Sequence, residues 1–513
     1  MSPGLTGPAP ATKRLASPRP VFVGVLFVLA ALVYSVYAVS RYTSFLTAGY
    51  DLGIFDQVVT AYAHFQAPIV TLKGDGFNIW GDHFHPIVAL WAPLYWIWQD
   101  PRMLLIAQAL LAAASVFPVW NFVRRHLGSP WAQVFTVGYL IGWPIQWLIN
   151  FDVHEIAFAV PLLAWAIDAI DRRRHGEIIA AAVGLLLVRE DMGAVVATLG
   201  LVIGVQWWRQ HRQARRGAAD PPAHSDFRLA GALVLVGLAV FAIVTLVVIP
   251  HFAPDGYAYW QYSQFGDGAG GALTHPWRLV TLLFWPPLKT LTWAALLVPL
   301  LGLPVRSWYA LAGLPIMAER LLADRASLWL PQYHYNAPVW VIGVLAAADV
   351  IGRLPAPRRQ LMSRLAALVL TGSMTLGIAT SLIWPGAVWS SAFSLWRVAD
   401  GSAFSLTQIE QQRAAVTAWL PANTCVAADD RIADHLTHTN RVTVPGVSQH
   451  RQDFYVIDTS RPVPAVTTVT LTTQQVIDQV QAAGFEPVFS AGPLVIWQAP
   501  DYAGPSPECA PTD

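Results

Sequence analysis

Cysteine and charge are what this chain has least of. Its 513 residues include two cysteines, Cys425 and Cys509, which excludes a disulfide framework or a cysteine-rich metal site and leaves room for one bridge at most. Charged residues make up 12%, where soluble domains carry roughly 25%, so an ordinary soluble protein is excluded too. Neither sign of charge prevails: 32 Lys plus Arg against 31 Asp plus Glu give a net +1, and no polybasic character points to nucleic acid. Lysine is scarce beside arginine, and no internal repeat of solenoid period is apparent. With 55% hydrophobic residues and a mean hydropathy of +0.45, the chain reads as an integral membrane protein.

What is present is a series of apolar runs. Residues 1–20 are rich in Pro, Ala and Ser with Lys13, Arg14 and Arg19, the composition of a disordered, positively charged start. Val21 to Val39 is apolar throughout, about the ~20 residues a spanning helix needs. It is longer than a signal-peptide core and no A-x-A cleavage site follows, so it reads as an anchor helix with its basic flank inside. Further spans are expected at Arg102 to Phe122, Trp131 to Leu148, Ile156 to Ile170, Glu177 to Val188 and Gly193 to Trp208. Leu229 to Ile249, Leu288 to Leu303, Trp308 to Ala323, Ala337 to Ile351 and Leu365 to Trp384 complete the set. The expectation is an α-helical polytopic membrane domain over 21–384 with about eleven crossings and a first external loop over 41–101.

The distribution of arginine supports this topology. Loops placed inside carry Arg124 and Arg125, Arg172 to Arg174, Arg209, Arg212, Arg215, Arg216 and Arg228, Arg306, and Arg353, Arg358, Arg359 and Arg364. Loops placed outside carry only scattered basic residues such as Arg41, Lys73, Arg189 and Arg325, as the positive-inside rule requires. Acids and histidines collect on that other side: Asp51, Asp56, Asp75, Asp82, His83 and His85 in the first loop, then Asp152, His154 and Glu155, then Glu190 and Asp191. A helix from Glu177 to Val188 climbs only about 18 Å at ~1.5 Å per residue, against a hydrocarbon core of ~30 Å. Glu190 and Asp191 should therefore lie below the outer surface in a protein-lined recess, where ionisable groups mark a substrate or ion pathway.

After Trp384 the hydrophobic runs shorten. A helix around Ser405 to Leu420 and another near Thr473 to Ala483 accompany short strands at Cys425 to Ala428, Arg441 to Val444, Phe454 to Asp458, Pro487 to Ser490 and Leu494 to Gln498. Residues 385–513 thus read as a small extracytoplasmic α/β domain without a nucleophile or metal motif. A Cys425–Cys509 disulfide is permitted there, although Cys425 also reads as a buried strand residue.

Each motif has a plain structural alternative. Asp51 can be the N-cap of the amphipathic stretch Leu52 to Phe65, or a general base, and the two are compatible. Asp56, five positions on, points ~140° away on a helix, so the pair forms no tight dyad. In GDHFHP, an extended backbone would put His83 and His85 on one face, able to bind a metal or a phosphate, or simply to pack on Trp80 and Trp91. His154 with Glu155, and Arg189 with Glu190 and Asp191, can be ion-paired helix ends, and Tyr333, His334 and Tyr335 can be an aromatic belt. The loop from His251 to Pro276, with Asp255, Tyr257, Tyr259, Trp260, Tyr262 and GDGAGG, lacks the preceding strand of a phosphate loop and reads as a flexible segment near the site.

Taken in order on this hydropathy profile, YDLGIFDQ, GDHFHP, FDVHE, VREDMG and QYHYNAP resemble the bacterial predicted membrane proteins known as domain of unknown function 2079. The likeness runs from about Val21 through WLPANTCVAADDRIADHLTH and DFYVID. That family is related to the GT-C superfamily, multispan enzymes that use polyprenyl-phosphate sugars and keep a catalytic Asp or Glu in the first external loop. The resemblance implies a GT-C-like fold in a bacterial plasma (inner) membrane. It implies an inverting transfer from a polyprenyl-phosphate-linked sugar donor to an envelope glycan, lipid or protein acceptor, with no nucleic acid involved. Asp51 takes the base position because it comes soonest after the first helix. The paired acids of several GT-C enzymes are missing there, which leaves Asp56 as its competitor.

In that scheme a first-loop carboxylate deprotonates the acceptor hydroxyl, worth ~10²- to 10⁴-fold, while Arg189, His83 or Arg325 stabilises the leaving phosphate. His154, Glu155, Glu190 and Asp191 line the recess, holding sugar hydroxyls or a divalent metal, and Asp82, His85 and His334 complete the expected substrate-binding set. No cofactor is required with certainty. The rival reading is a transporter or flippase using the same acids and histidines in an outward-facing cavity, although gathering at one face is not the mid-depth pattern of such proteins.

Overall fold

The computed structural model describes residues 19–217, 221–253, 256–259, 276–383, 396–461 and 471–511. The expected disordered start, Asp255, Trp260, Tyr262, the GDGAGG run and the end of the last expected span at Trp384 lie outside them.

An apolar run without internal proline makes the first helix, Arg19–Thr43. Its tyrosines face the bundle: the Tyr34 hydroxyl donates to the Leu140 carbonyl at 2.5 Å and Tyr37 bonds Asn150. Val21, Val25, Leu29 and Leu32 stand exposed on the opposite side, a face suited to hydrocarbon rather than water. Among the described residues, five helices are long and apolar enough to cross a membrane: Val21–Thr43, Pro101–Leu127, Met192–Arg215, His224–Phe252 and His334–Gly352. The pair Trp277–Phe284 and Pro287–Leu300, bent by 72°, is a sixth candidate.

Glycine and proline decide where expected spans break. Trp131 to Leu148, expected as one helix, is two, Ser129–Leu140 and Trp143–Asn150. Gly142 takes an extended ψ of 138° between them, and Pro144 has no N–H with which to continue the ladder. A Cβ on Gly142 would lie 2.5 Å from Nε1 of Trp340; with that space open, the indole donates to the Tyr139 carbonyl at 3.1 Å. Trp308 to Ala323 likewise begins as a 3-10 turn, Trp308–Gly313, and becomes α-helical over Leu314–Leu321. The helices Met192–Arg215 and His224–Ile243 meet through glycines: a Cβ on Gly193 would lie 2.6 Å from the Gly237 carbonyl oxygen. Small residues allow this approach where no water is expelled to drive it.

The C-terminal strands fall within a residue of the expected positions: β1 Cys425–Ala428, β2 Arg441–Thr443, β3 Phe454–Asp458, β4 Glu486–Ala491 and β5 Leu494–Gln498. Their order is β2-β1-β3-β5-β4, with β1 parallel to β2 and β3, and the β3–β5 and β4–β5 pairs antiparallel. The helices Gln408–Trp419 and Thr473–Ala482 each open on a capping box, Thr407 with Glu410 and Thr472 with Gln475, which satisfies two orphan amides at each start. Cys425 and Cys509 form the disulfide, so β1 is tied to the end of the chain while Cys425 stays buried.

This domain sits on the first loop. The Thr71 hydroxyl donates to the Val442 carbonyl at 2.6 Å. Asp75 accepts from the Ser448 hydroxyl and from the Gln449 and His450 amides at 2.8 to 3.1 Å.

Candidate functional site

A π-helical turn, Gly49–Gly53, carries Asp51 away from the first helix. Both glycines are there for space: a Cβ on Gly49 would lie 2.6 Å from Cβ of Ala433, and one on Gly53 2.8 Å from Leu72. Asp51 is not the cap of the helix Ile54–Ala63, whose N-cap is Gly53 with no side-chain bond. Its side chain is 31% exposed and Oδ1 faces Nε2 of His154 at 3.4 Å. Nδ1 of His154 lies 2.9 Å from the Phe151 carbonyl, a contact only an N–H can make, so Nε2 is the nitrogen presented to Asp51. The same ring stacks on His334 at 3.7 Å.

Asp56 has different company. Its side chain is 1% exposed, and Oδ1 accepts from the Tyr95 hydroxyl at 2.5 Å and meets Nε2 of His438 at 2.8 Å. Burial alone would depress the His438 imidazole, but the Asp56 carboxylate outweighs it and holds the ring above its ordinary value. Asp56 therefore joins the first loop to the C-terminal domain.

Beside His154, Glu155 belongs to a buried cluster organised around one cation. Arg189 makes a two-pronged pair with Asp191, Nε to Oδ1 at 2.7 Å and Nη2 to Oδ2 at 2.9 Å. It also reaches Glu155 at 3.4 Å and Glu319 at 3.7 Å. The planar guanidinium suits such a set because several of its donors can be satisfied at once. Glu190 accepts from the Phe84 amide at 3.1 Å and the Tyr257 hydroxyl at 2.8 Å, and pairs with Nδ1 of His83 at 2.7 Å. The His83 ring stacks on Tyr259 at 4.3 Å. Asp82 is held by Lys73 and by the Tyr259 hydroxyl.

The histidines of GDHFHP part company instead of sharing a face. His83 goes to Glu190, while His85 is buried against Phe55, its Nδ1 without a hydrogen-bond partner. His334, also buried, leaves its Nδ1 without such a partner. Arg325 precedes the short helix Ala326–Trp329 and is close enough to Tyr259 and Tyr335 for its charge to act on both. The loop start is held by Asp152, which has a φ of +44°. It pairs with Arg41 at 3.1 Å and accepts the Ala48 amide at 2.8 Å.

Among the described residues, one group of His, Cys, Asp or Glu brings three ligand atoms within 4.8 Å of one another: Cys425, His450 and Cys509. Two of these are already joined as the disulfide. The carboxylates Glu155, Asp191 and Glu319 have Arg189 for their cation, so this cluster does not fit a divalent ion. Glu319, Asp430, His438 and Tyr95 were absent from the expected site. Glu319 had a signal, a lone acid in the apolar stretch LPIMAERL, the kind of residue that marks function in a membrane helix. Asp430 and His438 lie in the stretch WLPANTCVAADDRIADHLTH that carries the family resemblance, and Tyr95 carried no signal.

The chain is thus a helical bundle on which the first loop and a small C-terminal sheet pack together, with buried ionisable groups gathered near them. The fold is shared with ArnT from Cupriavidus metallidurans bound to undecaprenyl phosphate, at a TM-score of 0.54 and 14% identity over 96% of this chain and 100% of that one. The apo state of ArnT aligns at 0.49, with the same identity and coverage. The Archaeoglobus fulgidus oligosaccharyltransferase in complex with Zn and sulfate aligns at 0.42 and 12% identity, over 85% of this chain and 68% of that one. By sequence the chain belongs to the predicted membrane protein family DUF2079, which it matches over residues 41–483. No curated protein matches it.

Proposed function

We propose that the protein is an inverting membrane glycosyltransferase that moves a sugar from a polyprenyl-phosphate donor to an extracytoplasmic acceptor, with Asp51 as general base. The observation that carries this is the contrast between the two candidate acids. Asp51 is partly open and faces the recess through His154, whereas Asp56 is enclosed by Tyr95 and His438. A base must reach the proton it removes. The fold shared with a protein solved with undecaprenyl phosphate supports the choice of donor class.

In this reading the acceptor hydroxyl approaches Asp51 as the lipid phosphate leaves from the opposite face of the sugar. His154, held by the Phe151 carbonyl and by His334, fixes the Asp51 carboxylate. Arg189 is committed to three carboxylates, so it shapes the recess, and Arg325 with His83 meets the phosphate charge. Asp82, Glu155, Glu190 and Asp191 hold those cations in place, with His85 lining the apolar side against Phe55. An apolar cavity of about 520 Å³ lined by Trp293, Leu297, Pro304, Leu311, Met317 and Ile342 has the chemistry a prenyl chain requires.

The topology belongs to the same proposal. The chain crosses a bacterial inner membrane about eleven times, some of the spans being short, with residues 1–20 cytoplasmic, a membrane domain over 21–384, and residues 385–513 outside. The test is transfer by purified protein from polyprenyl-phosphate sugars to envelope extracts, comparing wild type with Asp51→Asn. Undiminished transfer in the variant removes Asp51 as the base. Absence of transfer with any donor, accompanied by solute flux in liposomes, favours a transporter or flippase.

A further inference from the structure

The turn that carries Asp51 is gripped from outside. A π-helical turn is an uncommon local conformation, and Gly49–Gly53 has no side-chain cap of its own. Its geometry must be set by neighbours: Arg41, Asp152 and Leu72 on the membrane-domain side, and one segment of the C-terminal domain, Asp430 to Asp434. Oδ1 of Asp430 accepts the Tyr50 amide at 2.8 Å, one residue before Asp51. The Arg431 guanidinium donates to the Leu46 carbonyl. The Thr47 hydroxyl donates to Asp434 at 2.5 Å. Ala433 occupies the space beside Gly49, and the Asp434 backbone lies 3.4 Å from where a Cβ of Gly53 would be.

We propose that Asp430 is a positioning residue for Asp51, and that the segment Asp430 to Asp434 makes the C-terminal domain part of the active site rather than an appended module. The inference rests on the transferase reading with Asp51 as base. It follows from the contact pattern: each contact of that segment falls between Leu46 and Gly53, and none of them can form without the C-terminal domain. The Asp51 charge is also felt at Asp430, whose buried carboxyl is pushed up to about 7 by burial and by that neighbour. A base displaced by an ångström loses far more rate than binding, because orientation sets the barrier while the donor is held elsewhere.

The test uses the full-length protein in nanodiscs, a panel of undecaprenyl-phosphate hexoses and pentoses, and hydrogen exchange over residues 46–54 on the same samples. Asp430→Ala is expected to quicken exchange at the Tyr50 amide and to lower kcat by roughly 10²-fold with donor KM little changed. Asp430→Asn keeps an acceptor oxygen for that amide and should retain most of the turnover. Gly49→Ala should lower kcat by pressing the turn off Ala433, and adding Ala433→Gly should restore it, a recovery that a merely unfolded variant could not give. Wild-type kcat in Asp430→Ala despite faster exchange, or no recovery in the double variant, overturns the inference and leaves the transferase reading standing. No transfer by wild type with any donor overturns that reading, and the inference with it.

Discussion

The cluster around Asp51 and the interface around Asp56 begin five residues apart, each pairs an acid with a histidine, and they differ in how far the acid is open to solvent. In the recess, charges are matched to charges: Arg189 with three carboxylates, His83 with Glu190, Asp51 with His154. At the interface, Asp56 is locked by Tyr95 and His438 and shut away from solvent. The two acids are alike in sequence and differ in what the last hundred residues of the chain put over them. Proximity along the chain therefore says little about environment: one acid is partly open and the other is enclosed.

The comparison is broken most severely if the acids exchange effects. Asp51→Asn should cost ~10²- to 10⁴-fold in turnover, read as sugar transfer per folded protein, with the melting temperature close to wild type. Next in size is Arg189→Gln, which leaves Asp191, Glu155 and Glu319 without their buried cation. Removing one partner from such a group costs about 3 to 5 kcal/mol, so denaturant or thermal unfolding in detergent should show a large loss of stability. Asp56→Asn sits lower, at roughly 1 to 3 kcal/mol for a buried hydrogen-bonded group left mismatched. Its loss should show as weaker docking of residues 430–450 in hydrogen exchange, with turnover falling far less than in Asp51→Asn. A collapse of turnover in Asp56→Asn with docking intact would reverse the assignment.

Local physics made part of this legible. The five strands are short runs bounded by turn residues, so their positions could be read from the sequence, as could the first helix and the gathering of FDVHE with VREDMG. Helix interruption was harder to read, because Gly142 breaks its span by making room for Trp340, two hundred residues away. The clasp was invisible for the same reason: Tyr50 meets Asp430 and Asp56 meets His438 across some 380 positions. No periodicity encodes such a contact. The disulfide shows the limit from the other side. Cys425 was read as a buried strand residue that could also pair, and it is both.

The smallest expected effect is the most selective for the recess. Burial would by itself depress His83, but Glu190, aided by Asp82, reverses this and lifts the imidazole from its ordinary 6.5 to about 9. A proton held more tightly in the folded state than in the unfolded one stabilises the fold in full below the unfolded value and ceases to do so as pH rises through the folded one. Wild-type protein should therefore lose melting temperature between about pH 6.5 and 9, and His83→Gln, already lacking this contribution, should lose less over the same window. His83 is partly open, so solvent screening keeps the difference below that of Asp56→Asn. If the pH-dependent loss is equal in the two proteins, it arises at other raised groups, the Asp56-paired His438 and Asp430 among them, and His438→Gln should then reduce it.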